Sequence, residues 1–244
     1  MAIQAMTNTE RALTYAIEDQ QRMSEAKNYF AWQGRLVAPE LGRRIVEVGC
    51  GVGNFTEFVL GREAVLAVDI DAECIERVRG RYAGEENLRA VVCDAESGEF
   101  STLASFQADS CVCLNVLEHM RDDRKALSNI ASILVPGGAI VLLVPAFARL
   151  YGPIDKNLGH YRRYSLRSLR ELSAATGLRV KASYYVNSIG FFGWWANARV
   201  FRREAQSEAQ IKLFDNFVVP FLSAFESFTR PPFGQSLFTV LRKP

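Results

Sequence analysis

The chain has 244 residues, of which 49% are hydrophobic and 23% charged, the composition of one globular α/β domain with a substantial core. A net charge of +2, from 29 basic and 27 acidic residues, excludes binding to nucleic acid through a strong positive field. No apolar run reaches the roughly 18 residues of a membrane-spanning helix, the amino terminus lacks a signal-peptide core, and the five cysteines suit a reducing cytoplasm, where we expect the protein.

The first predicted element is a helical region over residues 8–40, in which apolar residues recur at helical spacing. Three of its aromatic residues, Tyr29, Phe30 and Trp32, lie just before the first predicted strand. The plain interpretation is that these rings pack the helix against the sheet that follows.

A glycine turn follows the predicted strand at residues 43–48. Glycine lets the backbone turn sharply and approach a ligand closely, because no Cβ lies in the way. A helix predicted at 53–61 would present its free N–H groups to a ligand at the turn. An acidic residue, Glu47, lies two places before the first glycine. The glycines are Gly49, Gly51 and Gly53.

Polar residues end the predicted strands that follow. Asp69 lies about 20 residues after the glycines, the spacing at which a carboxylate at the end of a second strand binds ribose hydroxyls. Asp94 and Asn115 end the next two strands. Because ligands bind outside the carboxyl ends of parallel strands, these residues predict one nucleotide site. The strands are 64–69, 88–93, 109–114 and 138–144, and the helices among them are 71–81 and 121–134.

The glycine spacing separates two kinds of nucleotide site. A dinucleotide oxidoreductase usually has G-x-G-x-x-G, but here Asn54 occupies the place of the third glycine. The pattern Glu-x-Gly-x-Gly-x-Gly, with Asp69 and Asp94 downstream, resembles that of class I S-adenosylmethionine (SAM) methyltransferases. The resemblance covers about residues 43–145 and resumes near 165–185 and 234–241.

The resemblance implies a Rossmann-like α/β fold: a seven-stranded, mostly parallel sheet with helices on both faces and an antiparallel last strand at 236–242. It also implies one domain over residues 1–244, in which helices at 1–40 form a lid and residues 43–145 bind SAM. Tyr29 or Trp32 would then face the site. The residues expected to bind SAM are Glu47, Gly49, Gly51, Gly53, Asp69, Ile70, Asp94, Ala95 and Asn115.

Two insertions, residues 146–164 and 188–233, extend the minimal pattern, and we expect them on the acceptor side of the site. The first contains the stretch D-x-x-L-G-H-x-R-R-Y-S, which resembles a bacterial subgroup of the family with small-molecule acceptors. One of its arginines could hold an acceptor carboxylate or phosphate, and His160 could accept a proton. Alternatively, the arginines pair with Asp155, Asp122 or Glu118 and pin the loop. The predicted catalytic residues are His160, Arg163 and Tyr29, and the predicted substrate-binding residues are Tyr161, Arg162, Tyr164 and Trp194.

The second insertion is rich in aromatic residues, and we term it the cap. Between 207 and 228 its apolar residues recur every three or four positions, which predicts a helical stripe that Pro220 bends or breaks. Core packing is the first interpretation of such a stripe. The cap has more aromatic rings than core packing needs, so three other roles stay open: an apolar acceptor pocket, a homodimer face and a membrane-surface contact. The pair Arg202-Arg203, in the same insertion as Trp194-Trp195, is compatible with a membrane-surface contact.

The sequence thus predicts a SAM-dependent methyltransferase with a small acceptor that is anionic and partly apolar. Glu118-His119 is interpreted as a floor of the site, and with only two histidines in the chain no metal site is expected. Two alternatives remain: consumption of SAM by internal cyclisation or elimination, which releases methylthioadenosine, and a non-catalytic SAM-binding regulator. The glycine spacing disfavours a nicotinamide oxidoreductase.

Overall fold

A computed structural model of the chain describes residues 17–244. Seven strands form a single sheet, and the predicted Rossmann-like α/β class is confirmed. The strands are β1 (Arg44–Val48), β2 (Ala64–Asp69), β3 (Leu88–Val92), β4 (Ala108–Leu114), β5 (Leu134–Pro145), β6 (Arg179–Val186) and β7 (Ser236–Arg242). Their order is β3-β2-β1-β4-β5-β7-β6. The first five are parallel, and β7 is antiparallel to both of its neighbours, as predicted.

Helices cover both faces of the sheet because successive strand residues point to opposite sides. Val46 packs with Leu127 and Leu169 on one face, whereas Ile45 packs with Trp32 and Val219 on the other. The helices are α1 (17–23), α2 (Lys27–Val37), α3 (Ala72–Arg81), α4 (Asp123–Ile133), α5 (Pro153–Asn157), α6 (Leu166–Ala175), α7 (Ser188–Trp195), α8 (Glu208–Leu213) and α9 (Val219–Phe228).

The predicted helix at 53–61 is not formed. The segment contains only a short 3₁₀ turn, Thr56–Phe58. Gly53 has a φ of +83°, outside the helical region, and the Thr56 hydroxyl donates a hydrogen bond to Glu47 Oε2 at 2.7 Å. The glycine turn is therefore followed by an irregular loop, and its ligand-binding N–H groups must come from the turn itself.

The predicted helical region at 8–40 is broken at residues 24–26, and its part before residue 17 lies outside the described residues. The chain becomes helical again at α2, where a carboxylate distant in sequence binds the first N–H groups of the helix. Asn28 N and Tyr29 N donate to the Asp215 carboxylate at 3.2 and 2.8 Å. Asp215 is 3% exposed and comes from the cap. The helix α2 and the cap are thus joined at one buried carboxyl group.

Pro220 does not end the helical run of the cap. A π-helical segment, Phe214–Val218, connects α8 to α9, so the missing N–H of the proline is accommodated. The expectation of a core stripe is wrong for four phenylalanines, because the buried side of the helix carries Ile211, Val219 and Leu222 instead. The four exposed phenylalanines are Phe217, Phe221, Phe225 and Phe228. No helix within residues 17–244 is long and apolar enough to cross a membrane.

Candidate active site

The glycine turn lies between the end of β4 and α1. Gly49 and Gly51 have φ values of +72° and +52°, a region that residues with a Cβ rarely adopt. A Cβ on Gly49 would overlap the side chain of Val116, and one on Gly51 would overlap Gln20. Gln20 Oε1 in turn accepts a hydrogen bond from Val52 N at 3.0 Å. Glycine is therefore required at both positions, because side chains of neighbouring elements occupy the space where a Cβ would lie.

Asp69 ends β2 directly beside this turn. Its carboxylate accepts hydrogen bonds from Gly51 N at 2.8 Å and from Asp71 N at 3.0 Å. Burial raises the pKa of Asp69, and the backbone hydrogen bonds oppose that rise. Ile70, the next residue, is 59% exposed. The structure thus holds the predicted ribose-binding carboxylate in place through two backbone donors.

The predicted pair at the end of β3 has a more local role in the structure. Asp94 Oδ1 accepts a hydrogen bond from Glu96 N at 2.8 Å, which closes the turn after the strand. Ala95 is 5% exposed, and its carbonyl accepts a hydrogen bond from Asn129 Nδ2 at 2.8 Å. The Ala95 methyl group therefore belongs to the core, and only the backbone of this residue can face a ligand.

Two polar residues lie at the ends of β1 and β4. Glu47 is 3% exposed, and burial raises its pKa to about 8, with a further rise from the charge of Asp69. Asn115 has a φ of +55°, which turns the chain sharply where β4 ends, and its N–H donates to Leu143 O at 2.7 Å. Asparagine tolerates this conformation better than most residues.

One cavity of about 250 Å³ joins these residues to the first insertion. Half of the sixteen predicted site residues line it. The other eight lie outside the lining: Gly53, Asp69, Ile70, Asp94, Ala95, Tyr161, Arg162 and Tyr164. The lining includes Tyr29, Glu47, Gly49, Gly51, Asn115, Glu118, His119, His160, Arg163 and Trp194. The turn and the predicted catalytic residues therefore share one space.

A buried carboxylate organises the part of this cavity that the first insertion forms. Asp155 is fully buried, and its Oδ1 lies 2.9 Å from His160 Nδ1 and 2.8 Å from Arg163 Nε. Gly152 N donates to its Oδ2 at 2.9 Å. Burial by itself would raise the pKa of Asp155, but the hydrogen bond to His160 and the charge of Arg163 lower it. Arg163 also lies over the Trp194 ring, 4.7 Å from its centroid. Of the alternatives for Arg163, the structure thus shows the ion pair with Asp155.

Three predicted substrate-binding residues lie away from the cavity. Arg162 forms an ion pair with Asp123 at 2.7 Å, and the buried Tyr164 hydroxyl donates to the same carboxylate at 2.9 Å. Tyr161 is 57% exposed. Asp123 is the first residue of α4, and its carboxylate binds both polar groups. Arg162, Tyr161 and Tyr164 therefore shape the loop and do not enter our proposed acceptor site.

Glu118 and His119 meet His160 at the floor of the cavity. The His119 and His160 rings are edge to face, with centroids 4.5 Å apart. Burial, followed by the charge of His160, lowers the pKa of His119 to about 3, and burial raises that of Glu118 to about 7. Among residues 17–244, neither carboxylate oxygen of Glu118 has a hydrogen-bond partner. Sequence reasoning missed this cluster because its two histidines lie far apart in the chain.

A second cavity, of about 340 Å³, adjoins the first and lies under the cap. Tyr29 and Trp194 line both cavities. Burial raises the pKa of Tyr29 to about 12, so its phenol remains protonated and can donate a hydrogen bond. Trp32, the other candidate for the lid, is 4% exposed and packs in the core. The apolar lining of the second cavity includes Met23, Phe201, Ile211, Leu213 and Phe214.

Residues 15–183 match the protein family described as a methyltransferase domain. The chain belongs to this family. The methyltransferase is 29% identical over 102 residues to the ubiquinone biosynthesis O-methyltransferase of Aeromonas salmonicida, a match that spans 41% of this chain and 42% of the relative. It is 32% identical over 117 residues to O-methyltransferase cnsE of Penicillium expansum, across 45% and 40% of the two chains. The matches therefore span about two-fifths of the length of these curated relatives.

A solved structure has the same fold over nearly all of the chain. The N-methyltransferase NodS of Bradyrhizobium japonicum, in complex with S-adenosylhomocysteine, superposes with a TM-score of 0.61 at 16% identity, covering 98% of this chain and 100% of NodS. SAM is the cofactor of the methyltransferase family. The residues fit it, because Gly49, Gly51, Asn115 and the side chain of Glu47 line one cavity, and Asp69 binds the turn at Gly51 N.

Proposed function

We propose that this methyltransferase transfers a methyl group to a small acceptor that has an anionic or acidic group and an apolar body. One observation carries the proposal: a single cavity connects the glycine turn with His160, Arg163 and Trp194 of the acceptor side. When bound, SAM supplies a methyl carbon that the positive sulfonium has already activated. The chain must then align the acceptor with that carbon and exclude water.

The acceptor side is built for a polar group. Asp155 favours the His160 tautomer with hydrogen on Nδ1, so Nε2 carries a lone pair. Tyr29 supplies a protonated phenol, and Arg163 supplies positive charge that Asp155 partly neutralises. We propose that these three residues hold the reacting group of the acceptor. Both curated relatives are named O-methyltransferases, which favours oxygen as the nucleophile.

The apolar body of the acceptor would occupy the second cavity. This cavity shares Tyr29 and Trp194 with the first, so one molecule can extend from the reacting group to the apolar lining. Transfer of apolar surface from water to such a lining contributes about 25 cal/mol per Å². The proposal therefore predicts that acceptors with longer apolar bodies have lower KM values.

The exposed face of the cap indicates where an acceptor with an apolar body would come from. Phe201 and Leu213 line the second cavity and are 61% and 63% exposed, so the cavity opens to the surface through residues of the cap. Arg202 and Arg203 adjoin this opening in the chain. We propose that the cap rests on an anionic bilayer surface, where aromatic rings enter the interface and arginines meet lipid headgroups.

Vesicle sedimentation tests the bilayer contact. Wild-type protein should sediment with phosphatidylglycerol vesicles more than with phosphatidylcholine vesicles, and the double variant Phe221→Ser, Phe225→Ser should lose this binding. Val92→Ser removes an exposed apolar residue of the edge strand β3 and should bind like the wild type. Equal binding by all three proteins, or a dimer in light scattering that the double variant abolishes, would reject the bilayer contact.

An acceptor screen with methyl-labelled SAM tests the reaction. Hydroxylated and carboxylated compounds with apolar bodies of increasing length should take up label and release S-adenosylhomocysteine. Release of methylthioadenosine would select internal consumption of SAM instead. Tight SAM binding without turnover of any acceptor would favour the regulator.

A further inference from the structure

We propose that Glu118, His119 and His160 bind one divalent transition-metal cation at the floor of the cavity. Each residue offers one ligand atom, and these atoms lie within 4.8 Å of one another. All three residues line the same cavity as the glycine turn and Arg163. The proposed site differs from the sequence prediction of no metal. That prediction rested on the small number of histidines, and the sequence alone does not show that His119 and His160 lie together.

The carboxylate of Glu118 gives independent support. The residue is fully buried, and in the part of the chain from 17 onwards its two side-chain oxygens accept no hydrogen bond. Leaving a buried polar group without a partner typically costs about 1–3 kcal/mol, and more when the group is charged. A cation between the carboxylate and the two imidazoles would provide the missing partner.

His160 is oriented as a metal ligand usually is. Its Nδ1 lies 2.9 Å from Asp155 Oδ1, which leaves Nε2 without a hydrogen in that tautomer. Histidine ligands commonly donate their other N–H to a carboxylate, which fixes the ring and increases its basicity. Asp155 is itself held by Arg163 and Gly152, so the ring of His160 has little freedom to turn away.

The donor set indicates the class of metal. Two imidazoles and one carboxylate suit zinc, iron, cobalt or nickel better than magnesium or calcium, which prefer oxygen ligands. Three protein ligands leave at least one coordination position for water or substrate, and here the cavity is the space beside them.

The proposed cation would activate the acceptor, and this role rests on the proposed methyl transfer. An acceptor hydroxyl would replace a metal-bound hydroxide, which leaves as water with the hydroxyl proton. The resulting metal-bound oxygen would use one lone pair to form a bond to the methyl carbon, and the electrons of the broken carbon–sulfur bond would remain on sulfur. In this arrangement, the His160 lone pair binds the cation and is not the base that the sequence predicts.

Metal binding is tested on the full chain without SAM or acceptor. Protein freed of metal with a chelator is titrated with Zn²⁺, and the bound metal is counted by elemental analysis after desalting. We expect one Zn²⁺ per chain and at least a 100-fold weaker affinity in Glu118→Gln. Glu47→Gln is the matched control, because Glu47 is also a buried carboxylate of this cavity but lies outside the cluster. It should bind Zn²⁺ like the wild type.

Cobalt distinguishes this cluster from the cysteines. Co²⁺ at the proposed site should give weak visible bands that lack intense thiolate charge transfer, and Glu118→Gln should lose them. If Glu118→Gln is unfolded by circular dichroism, His119→Asn serves as the second variant. Absence of stoichiometric Zn²⁺ in the wild type, unchanged affinity in a folded variant, or a thiolate band would overturn the proposal. Such a failure would leave SAM binding and methyl transfer intact, so it is distinguishable from failure of the proposed function.

Discussion

The two ends of the cavity, at the glycine turn and at the proposed acceptor side, are built in different ways. At the glycine turn, most contacts involve backbone atoms: Asp69 binds Gly51 N, and Gln20 binds Val52 N. On the acceptor side, the lining comes from side chains of α2, the loop after β4, the first insertion and the cap. A common cofactor needs only a backbone shape, whereas acceptor recognition depends on how distant side chains are brought together.

The largest effect is expected where the acceptor side depends on one charge. Asp155→Asn leaves the buried guanidinium of Arg163 without its ion pair, which should lower the free energy of unfolding by about 3–5 kcal/mol. Urea denaturation measures the loss. Asp122→Asn is the control: Asp122 caps α4 through a 2.9 Å bond from Lys125 N, and asparagine caps equally well, so the change should stay within about 0.5 kcal/mol. Similar losses in both variants would mean that the acceptor side does not depend on this pair.

Next in size is an effect on the cofactor side alone. Asp69→Ala should weaken SAM binding by about 2–4 kcal/mol, because it removes the carboxylate that we propose accepts two charge-assisted hydrogen bonds from the ribose. Calorimetric titration with SAM should show an affinity about 30- to 900-fold lower. Asp71→Ala removes the neighbouring carboxylate, which caps α3, and should cost stability with little loss of SAM affinity. Unchanged SAM binding in Asp69→Ala would show that the end of β2 is not the ribose site.

The third effect is a pH dependence that originates on the cofactor side. Folding raises the pKa of Glu47 from 4.5 to about 8, so the folded state holds a proton that the unfolded state has released. The free energy of unfolding should therefore fall as pH rises through this window, by about 1–2 kcal/mol between roughly pH 6.5 and 8. Glu47→Gln should remove this part of the slope in denaturation curves of SAM-free protein. A variant with the same slope as the wild type would show that Glu47 ionises normally.

The smallest effect tests the orientation of the cap helix. Phe221→Ser should change the free energy of unfolding by no more than about 0.5 kcal/mol, because this ring is 75% exposed. Its neighbour Leu222 is fully buried, so Leu222→Ala should cost about 2–5 kcal/mol. Thermal or urea denaturation of the two single variants gives the answer. A larger loss in Phe221→Ser would restore the core stripe that the sequence predicts.

The difference between local and long-range contacts also explains which sequence predictions succeeded. The strands and the antiparallel position of β7 are confirmed, and the order of polar residues along the strand ends follows from them. The helix at 53–61 failed because the Gly53 backbone and the Thr56–Glu47 hydrogen bond outweighed helical periodicity. The apolar spacing in the cap predicted a helix correctly but assigned its buried side wrongly.

The sequence by itself determined the parallel sheet, the glycine turn and the carboxylate at Asp69, because alternating apolar residues and glycine conformations act over a few neighbouring residues. Tertiary structure alone decided that Asp215 caps α2, that Arg163 pairs with Asp155, and that His119 meets His160. It also decided which face of α9 is buried. Each of these contacts joins residues far apart in the chain, and its partner is selected by packing and by the cost of leaving a buried charge unpaired.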